Sequence, residues 1–324
     1  MASPSQAISR VELSSGYEEF DLAASRQGFI GPRVAKPRPV ARQSGEFGYV
    51  PVEQLLQNRT TRRAPGTGYN RGSFEFETLS FATEEHGVEE KLDDREIKQY
   101  SDLLDAETIH AQRAIDAIAR AYEIEVADAI FNATTFASYT DDVTEEWDDA
   151  DSATPMTDVE TARRAIESAT GLRPNALIIN RKVFHNLKQT DEIVDRLKYA
   201  GFDDMKTIGA NALAQLFDLD FVLVAGGYKN TADEGQDASI EPIWSDEYAM
   251  VCKVATTRDP SEACVARTFV WAEEAGMDNG EEICVVIEEY RTEDTRSSIL
   301  RARSDWDIQV IHAAAGYLLS NITS

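Results

Sequence analysis

Two hydrophobic rhythms divide this chain. In "SFEFETLSF" Phe74 and Phe76 alternate with Glu75 and Glu77, the period of a strand with one dry face. "EFGYVPV" upstream is the second β-like end, and the Arg-, Gly- and Thr-rich stretch "NRTTRRAPGTGYNRG" lies between them. Together they predict a long hairpin with a flexible tip. An isolated hairpin is marginal in water, so a long one implies a surface to lie on. From Asp93 the period becomes helical: Leu104, Ala111, Ile115, Ile118, Tyr122, Val126 and Ile130 recur at three, four or seven. This predicts a helix from near Asp105, a candidate cap, to Asn132, roughly 40 Å long at ~1.5 Å per residue.

The remaining segments fill in around that helix. Residues 1–45 show little periodicity and several prolines ("GPRVAKPRPVARQ"). Proline lacks an N–H and disfavours helix at the residue before it, so an extended arm is expected. Downstream, Thr157 and Glu160 fit a T-x-x-E capping box, "DVETARRAIESAT" reads as a helix, and Gly171 stops it. Strand "NALIIN", helices "RKVFHNLKQ", "DEIVDRLKYAG" and "GANALAQLF", and strand "DFVLVAGG" follow, the alternation of an α/β layer. β-like runs dominate from Glu247 to Ser304, and "IQVIHAAAGYLLSN" reads as a final strand pair turning at Gly316. The fold class is α+β.

Length and charge narrow the picture. At 324 residues the chain holds one large or two modest domains, and 42% hydrophobic with 28% charged residues reads as folded. No run of 18 apolar residues occurs, and the start lacks a secretion signal, so assembly in a cytoplasm is expected. The net charge of −26 opposes tight binding to phosphates, though not enclosure of DNA behind an acidic wall. Charge is also uneven. Gly31 to Arg71 carries eight basic and two acidic residues, whereas "DDVTEEWDDAD", 141–151, carries seven acids and no base. These segments are either solvated runs or surfaces that attract each other between copies.

Little points to catalysis. Cys252, Cys264 and Cys284 are odd in number, never at CxxC spacing, and sit in β-like runs, so neither zinc nor disulfides are expected. His86, His110, His185 and His312 are scattered without a ligand spacing. Gly226 and Gly227 in "AGGYKN" lack both GxxxxGK[ST] and GxGxxG and read as a turn. The acids of 141–151 lack the calcium-loop pattern, and no G-x-S-x-G elbow is present. The expectation is no enzyme and no cofactor.

The order of segments resembles the major capsid proteins of tailed bacteriophages, the HK-ninety-seven fold. "RPNALIINRKVFHNLKQTDEIVDRLKYAG" resembles that family's strand–helix–helix unit in the axial domain, and "IGANALAQLFDLDFVLVAGG" the helix–strand step after it. "RAPGTGYNRGSFEFETLSFATEEHGVEEKLDD" resembles the extended loop feeding the peripheral domain. "DPSEACVARTFVW" and "EEYRTEDTRSSILRARSDWDIQVIHAAAGYLLSN" resemble the closing strands. The match runs from about Phe29 to Asn321.

The resemblance implies an N-terminal arm (1–45), an extended β-hairpin loop (46–86) and a peripheral domain with a spine helix at about 105–132 (87–150). It further implies an α/β axial domain (151–254), peripheral β-strands (255–305) and a C-terminal return to the axial domain (306–324). The expected role is structural: hexamers and pentamers forming an icosahedral head around double-stranded DNA, in the virion, assembled in the host cytoplasm. About thirty residues precede the match, so a separate scaffolding protein is expected rather than a cleaved in-chain segment, alongside a portal protein. Residues 41–90 contain no lysine, so Lys–Asn cross-links from the loop are not expected, and a cement protein is a candidate partner. Arg59, Arg62, Arg63 and Arg71, with Phe74 and Phe76, are the expected inter-subunit contacts, since this loop would overlie a neighbour. An encapsulin-type nanocompartment shell is the alternative, and a soluble α/β enzyme using carboxylates a third reading.

Overall fold

The computed structural model describes residues 8–9, 28–49, 51, 56–58, 61–69, 71–72, 77–95, 106–199, 209–233, 235–259, 262–271 and 285–323. A short strand β1 (Ile8–Ser9) precedes a single helical turn α1 (Gly31–Val34) and strand β2 (Lys36–Val40). Strands β3 (Ser44–Tyr49) and β4 (Glu77–Ala82) pair antiparallel from Ser44–Ala82 to Tyr49–Glu77 and form the base of a hairpin. Strand β5 (Glu84–Asp93) leads to the long helix α2 (Ala106–Ile130). There follow β6 (Thr140–Asp142), α3 (Pro155–Thr170), β7 (Ala176–Asn180), α4 (Arg181–Leu187) and α5 (Asp191–Tyr199). Helix α6 (Ala210–Leu216), β8 (Phe221–Ala225), the ribbon β9 (Tyr228–Asn230)–β10 (Ile240–Pro242) and β11 (Ala249–Cys252) complete that region. The chain closes with β12 (Ala266–Trp271), β13 (Val286–Thr292), β14 (Ser297–Val310) and, after a 3₁₀ turn at Ala313–Ala315, β15 (Gly316–Ser320).

Helix α2 is placed by its apolar stripe. Ala111, Ala114, Ile115, Ile118, Tyr122, Val126 and Ile130 are all buried, at spacings that keep one face inward. That face meets two sheets. The first has the order β1-β13-β14-β12-β2, with β5 on the other side of β14. In β14, Leu300, Ala302, Ser304 and Trp306 are buried at every second position, the period-two pattern of a half-buried strand. The second sheet has the order β6-β15-β11-β7-β8. It is covered on both faces, which explains why "ALII" of β7 is continuously apolar. Ala176, Ile178, Met250 and Leu318 turn toward α2, while Leu177, Ile179, Val251 and Leu319 turn toward helices α3–α6.

Several sequence expectations change. Thr157 is not an N-cap: α3 starts at Pro155, with Thr154 as cap residue and no side-chain cap bond. Proline at the first helical position sets the start, because its missing N–H is one the helix leaves unpaired there anyway. Gly171 does stop α3, at φ +67°. The C-terminal segments are not a strand pair. The last residues of β14 pair with β12 in the first sheet, whereas β15 lies between β6 and β11 in the second. Residues 28–40, expected within an extended arm, belong to the body. Ile30, Val34 and Ala35 are buried, and β2 pairs parallel with β12 from Lys36–Arg267 to Val40–Trp271.

Gly226 and Gly227 have a use beyond a turn. The Gly226 amide donates to the Gly28 carbonyl at 2.9 Å, and a Cβ on Gly227 would lie 2.7 Å from the Phe29 ring. Glycine lets the two backbones approach where any side chain would collide.

Candidate inter-subunit surfaces

The hairpin is packed at its base, and the described residues of its tip are exposed. At the base, Phe269 of β12 stacks on Phe81 at 4.8 Å between ring centroids and meets Phe47 at 5.0 Å. Such ring pairs each contribute about 0.5–1.5 kcal/mol beyond area burial. The Ala82 amide donates to Asp307 Oδ2 (2.9 Å), and the Tyr49 ring meets His312 edge-on at 5.3 Å.

Residues 61–69 and 71–72 are exposed throughout. Within them, a turn at Ala64–Thr67 uses Gly66 at φ +86°, and Thr67 Oγ1 donates to the Ala64 carbonyl at 2.9 Å. Arg63 Nε donates to the Thr67 carbonyl at 2.6 Å, and its guanidinium sits 4.6 Å from the Tyr69 ring. Tyr69 is 77% exposed. This small cation–π unit gives the tip a preferred shape and leaves its charge in the open. Among the described residues, neither Arg62, Arg63 nor Arg71 meets a carboxylate of its own subunit. Leu56, 62% exposed, rests against Gly171 at the end of α3, so the loop passes over that helix end. Arg59, Phe74 and Phe76 lie outside the described residues, as does Cys284.

Three features that the sequence reading missed hold the framework behind the loop. Glu123 is fully buried on α2 yet carries a carboxylate. Its Oε1 accepts from the Ile30 amide (2.8 Å) and the Trp244 indole (2.7 Å), and its Oε2 from the Gly31 amide (2.7 Å). Burial pushes this carboxyl upward, and the three N–H donors oppose the shift. One side chain thereby joins the N-terminal segment, the long helix and the loop carrying Trp244. The signal was an acid inside an apolar stripe, between Tyr122 and Val126.

Arg267, also buried, donates to the carbonyls of Thr257 (3.4 Å), Asp259 (2.6 Å) and Glu262 (3.1 Å). Glu262 accepts from the amide and hydroxyl of both Thr256 and Thr257, at 2.6–2.8 Å. Desolvation resists ionisation, but these four donors outweigh it and hold the carboxyl at about 2. The result is an exposed yet pre-shaped loop. Third, the spine-helix residue Glu125 accepts from the Trp306 indole (2.6 Å), and His86 stacks on Trp306 at 3.8 Å.

The histidines have structural company. His110 Nδ1 lies 3.2 Å from Glu90, and His185 lies beside Phe184. Among the described residues, no three His, Cys, Asp or Glu side chains are grouped to hold a metal. Cys252 and Cys264 are buried free thiols, and burial pushes the Cys252 thiol up.

No family model matches the chain. It is 23% identical over 303 residues to a protein named "Major capsid protein" of the Burkholderia phage BcepMu, covering 91% of each chain. Among solved structures, a phage-related protein from Bordetella bronchiseptica matches with TM-score 0.72 at 20% identity, over 98% of this chain and 99% of that one. The capsid of cyanophage P-SCSP1u matches with TM-score 0.57 at 10% identity, over 99% and 90%. The SrpI encapsulin of Synechococcus elongatus matches with TM-score 0.54 at 8% identity, over 99% and 92%. With a spine helix against two sheets, the chain has the HK-ninety-seven capsid fold and is similar, over nine-tenths of its length, to a phage major capsid protein.

Proposed function

We propose that this chain is the shell subunit of an icosahedral phage head, associating as hexamers and pentamers around double-stranded DNA. The observation that carries the reading is the exposed loop tip, where Arg62, Arg63 and Arg71 meet no carboxylate among the described residues. Arginine forks form paired bonds to carboxylates that lysine cannot copy, and these become available when the tip lies on another copy. Arg59, Arg62, Arg63 and Arg71 supply the charge of that contact, and Phe74 and Phe76 its apolar face. Each contact is weak, and shell symmetry multiplies it.

The role is mechanical, without catalysis. A charge of −26 suits a wall that surrounds DNA without gripping it. A separate scaffolding protein directs assembly, a portal protein occupies one vertex, and a cement protein substitutes for absent lysine cross-links. Assembly takes place in the host cytoplasm, and a compact precursor rearranges into the mature virion shell.

An encapsulin-type compartment is the second reading, favoured by the near-equal likeness to the SrpI encapsulin and the cyanophage capsid. The phage relative, matched along 91% of both chains, favours the head. Electron microscopy of particles from producing cells tests both. DNA-filled heads bearing tails support the proposal, and empty tailless spheres support the compartment. A chain that stays monomeric at every concentration, with and without scaffold, refutes both.

A further inference from the structure

Helix α3 separates two surfaces of opposite character. On one flank, Trp147 is buried and its indole donates to Asp158 Oδ2 at 2.9 Å. The same segment is pinned by Val143 N to the Ser320 carbonyl (3.1 Å), Trp147 N to the Ile322 carbonyl (2.8 Å) and Asp191 N to the Ala150 carbonyl (2.9 Å). Asp141, Asp142, Glu145, Asp148, Asp149 and Asp151 are thereby displayed in a fixed, exposed strip. The strip contains no lysine or arginine.

Two residues beyond Asp158 the helix has turned by about 200°, so Glu160 and Arg164 face the other flank. There α3, α5 and the end of α6 enclose a groove of about 420 Å³, with Met156, Leu216 and Phe217 among its lining. Arg163, Arg164 and Arg196 line it, and Arg173 stands beside them on Asp218. These four guanidiniums are held by three carboxylates. Glu160 takes Arg163 (3.2 Å) and Arg164 (2.8 Å), Asp218 takes Arg163 (2.9 Å) and Arg173 (2.5 Å), and Glu192 takes Arg196 (3.3 Å). In a chain of net charge −26 this is a local excess of positive charge. Arg163 Nε is buried there without a partner. Arg164 and Arg196 remain 76% and 53% exposed, free to take a second acceptor.

We propose that the groove between α3, α5 and α6 receives the acidic strip 141–151 of the next copy. This rests on the shell reading above and names the surfaces of one ring contact. A contact joining two different faces of the same molecule repeats head to tail and closes into a ring, each copy using each face once. Both faces are pre-shaped, so little ordering opposes the contact. Polyanions are the other conceivable occupant, but the chain's overall charge repels them.

The test uses the full chain in four forms: wild type, the groove variant R164E/R196E, the strip variant D141K/E145K/D148K/D151K, and both sets of substitutions together. The strip variant replaces four of the seven acids, which turns the strip basic. All replaced side chains are exposed, and circular dichroism checks that each variant folds. Ring formation is followed by native mass spectrometry and sedimentation velocity at low and high salt. Each single-face variant should raise the apparent ring dissociation constant at least tenfold, and the combined variant should recover rings. An equimolar mixture of the two single-face variants should form rings only with even copy numbers, because only unlike neighbours attract. Wild-type rings that both single-face variants match, or folded variants that the combined one fails to rescue, overturn the assignment alone. So does loss of heparin retention in R164E/R196E with rings intact, which gives the groove to a polyanion. A wild type that never forms rings overturns the shell reading as well.

Discussion

Replacing Glu123 by glutamine probes the joint at which three parts of the chain meet. The carboxylate presents two oxygens to three N–H donors at 2.7–2.8 Å. Glutamine has one oxygen. Placed toward Ile30 and Trp244, it leaves the side-chain NH₂ facing the Gly31 amide, donor against donor. Placed the other way, it confronts two donors instead of one. Each buried donor left without an acceptor costs about 1–3 kcal/mol, and removal of a buried charge offsets part of this. The expected net loss is about 2–4 kcal/mol. At roughly 2 °C per kcal/mol for a chain this large, the melting temperature should fall by ~4–8 °C. Calorimetry on the unassembled subunit reads the shift, and Trp emission reports the loosened Trp244. If E123Q melts within about 1 °C of wild type with unchanged emission, the three bonds do not hold this joint.

Other expectations follow the same logic. The tip variant R62E/R71E should leave subunit melting unchanged within about 1 °C, since neither side chain meets a carboxylate among the described residues, yet block shell formation; assembly at the wild-type rate refutes the loop contact. Gly171→Ala should cost about 1–2 kcal/mol, because φ is +67° and the new Cβ would lie 2.8 Å from Leu56, so an unchanged urea midpoint counts against the strain. Glu262 titrates near 2 when folded, below an ordinary carboxyl at 4.5, so its contribution is present above pH 4.5 and fades as pH falls toward 2. Wild type should therefore exceed E262Q in stability by about 1 kcal/mol at pH 6, with the gap narrowing below pH 4.5; a gap that grows on acidification contradicts this.

The amphipathic period of α2 was legible because most of its inward face is apolar, and the order of segments was legible as a resemblance to the capsid family. Strand β5 was not. Its inward positions are His86, Val88, Glu90 and Leu92, two of them polar because they meet side chains such as His110 and Glu125 rather than a dry core. The capping box failed for a related reason: Thr157 has the right neighbours in sequence, but Pro155 already begins the helix. Glu123 and Arg267 were invisible as structural keystones, since their partners are backbone groups 92 and 93, or five to ten, residues away. The loop arginines were named as candidates from composition and, mostly, from the family resemblance. The groove arginines were not, because α3, α5 and α6 bring them together only in three dimensions.

Strand β15 sits between β6, about 180 residues earlier, and β11, so β6 is not joined to the β11-β7-β8 strands until 316–320 has been made. Such distant pairing forms slowly. During translation the lobe that offers both the acidic strip and the groove therefore stays unfinished almost to the last codons of this stretch. Under the proposed ring contact, a nascent chain cannot join a neighbour through this lobe before residues 316–320 have been made.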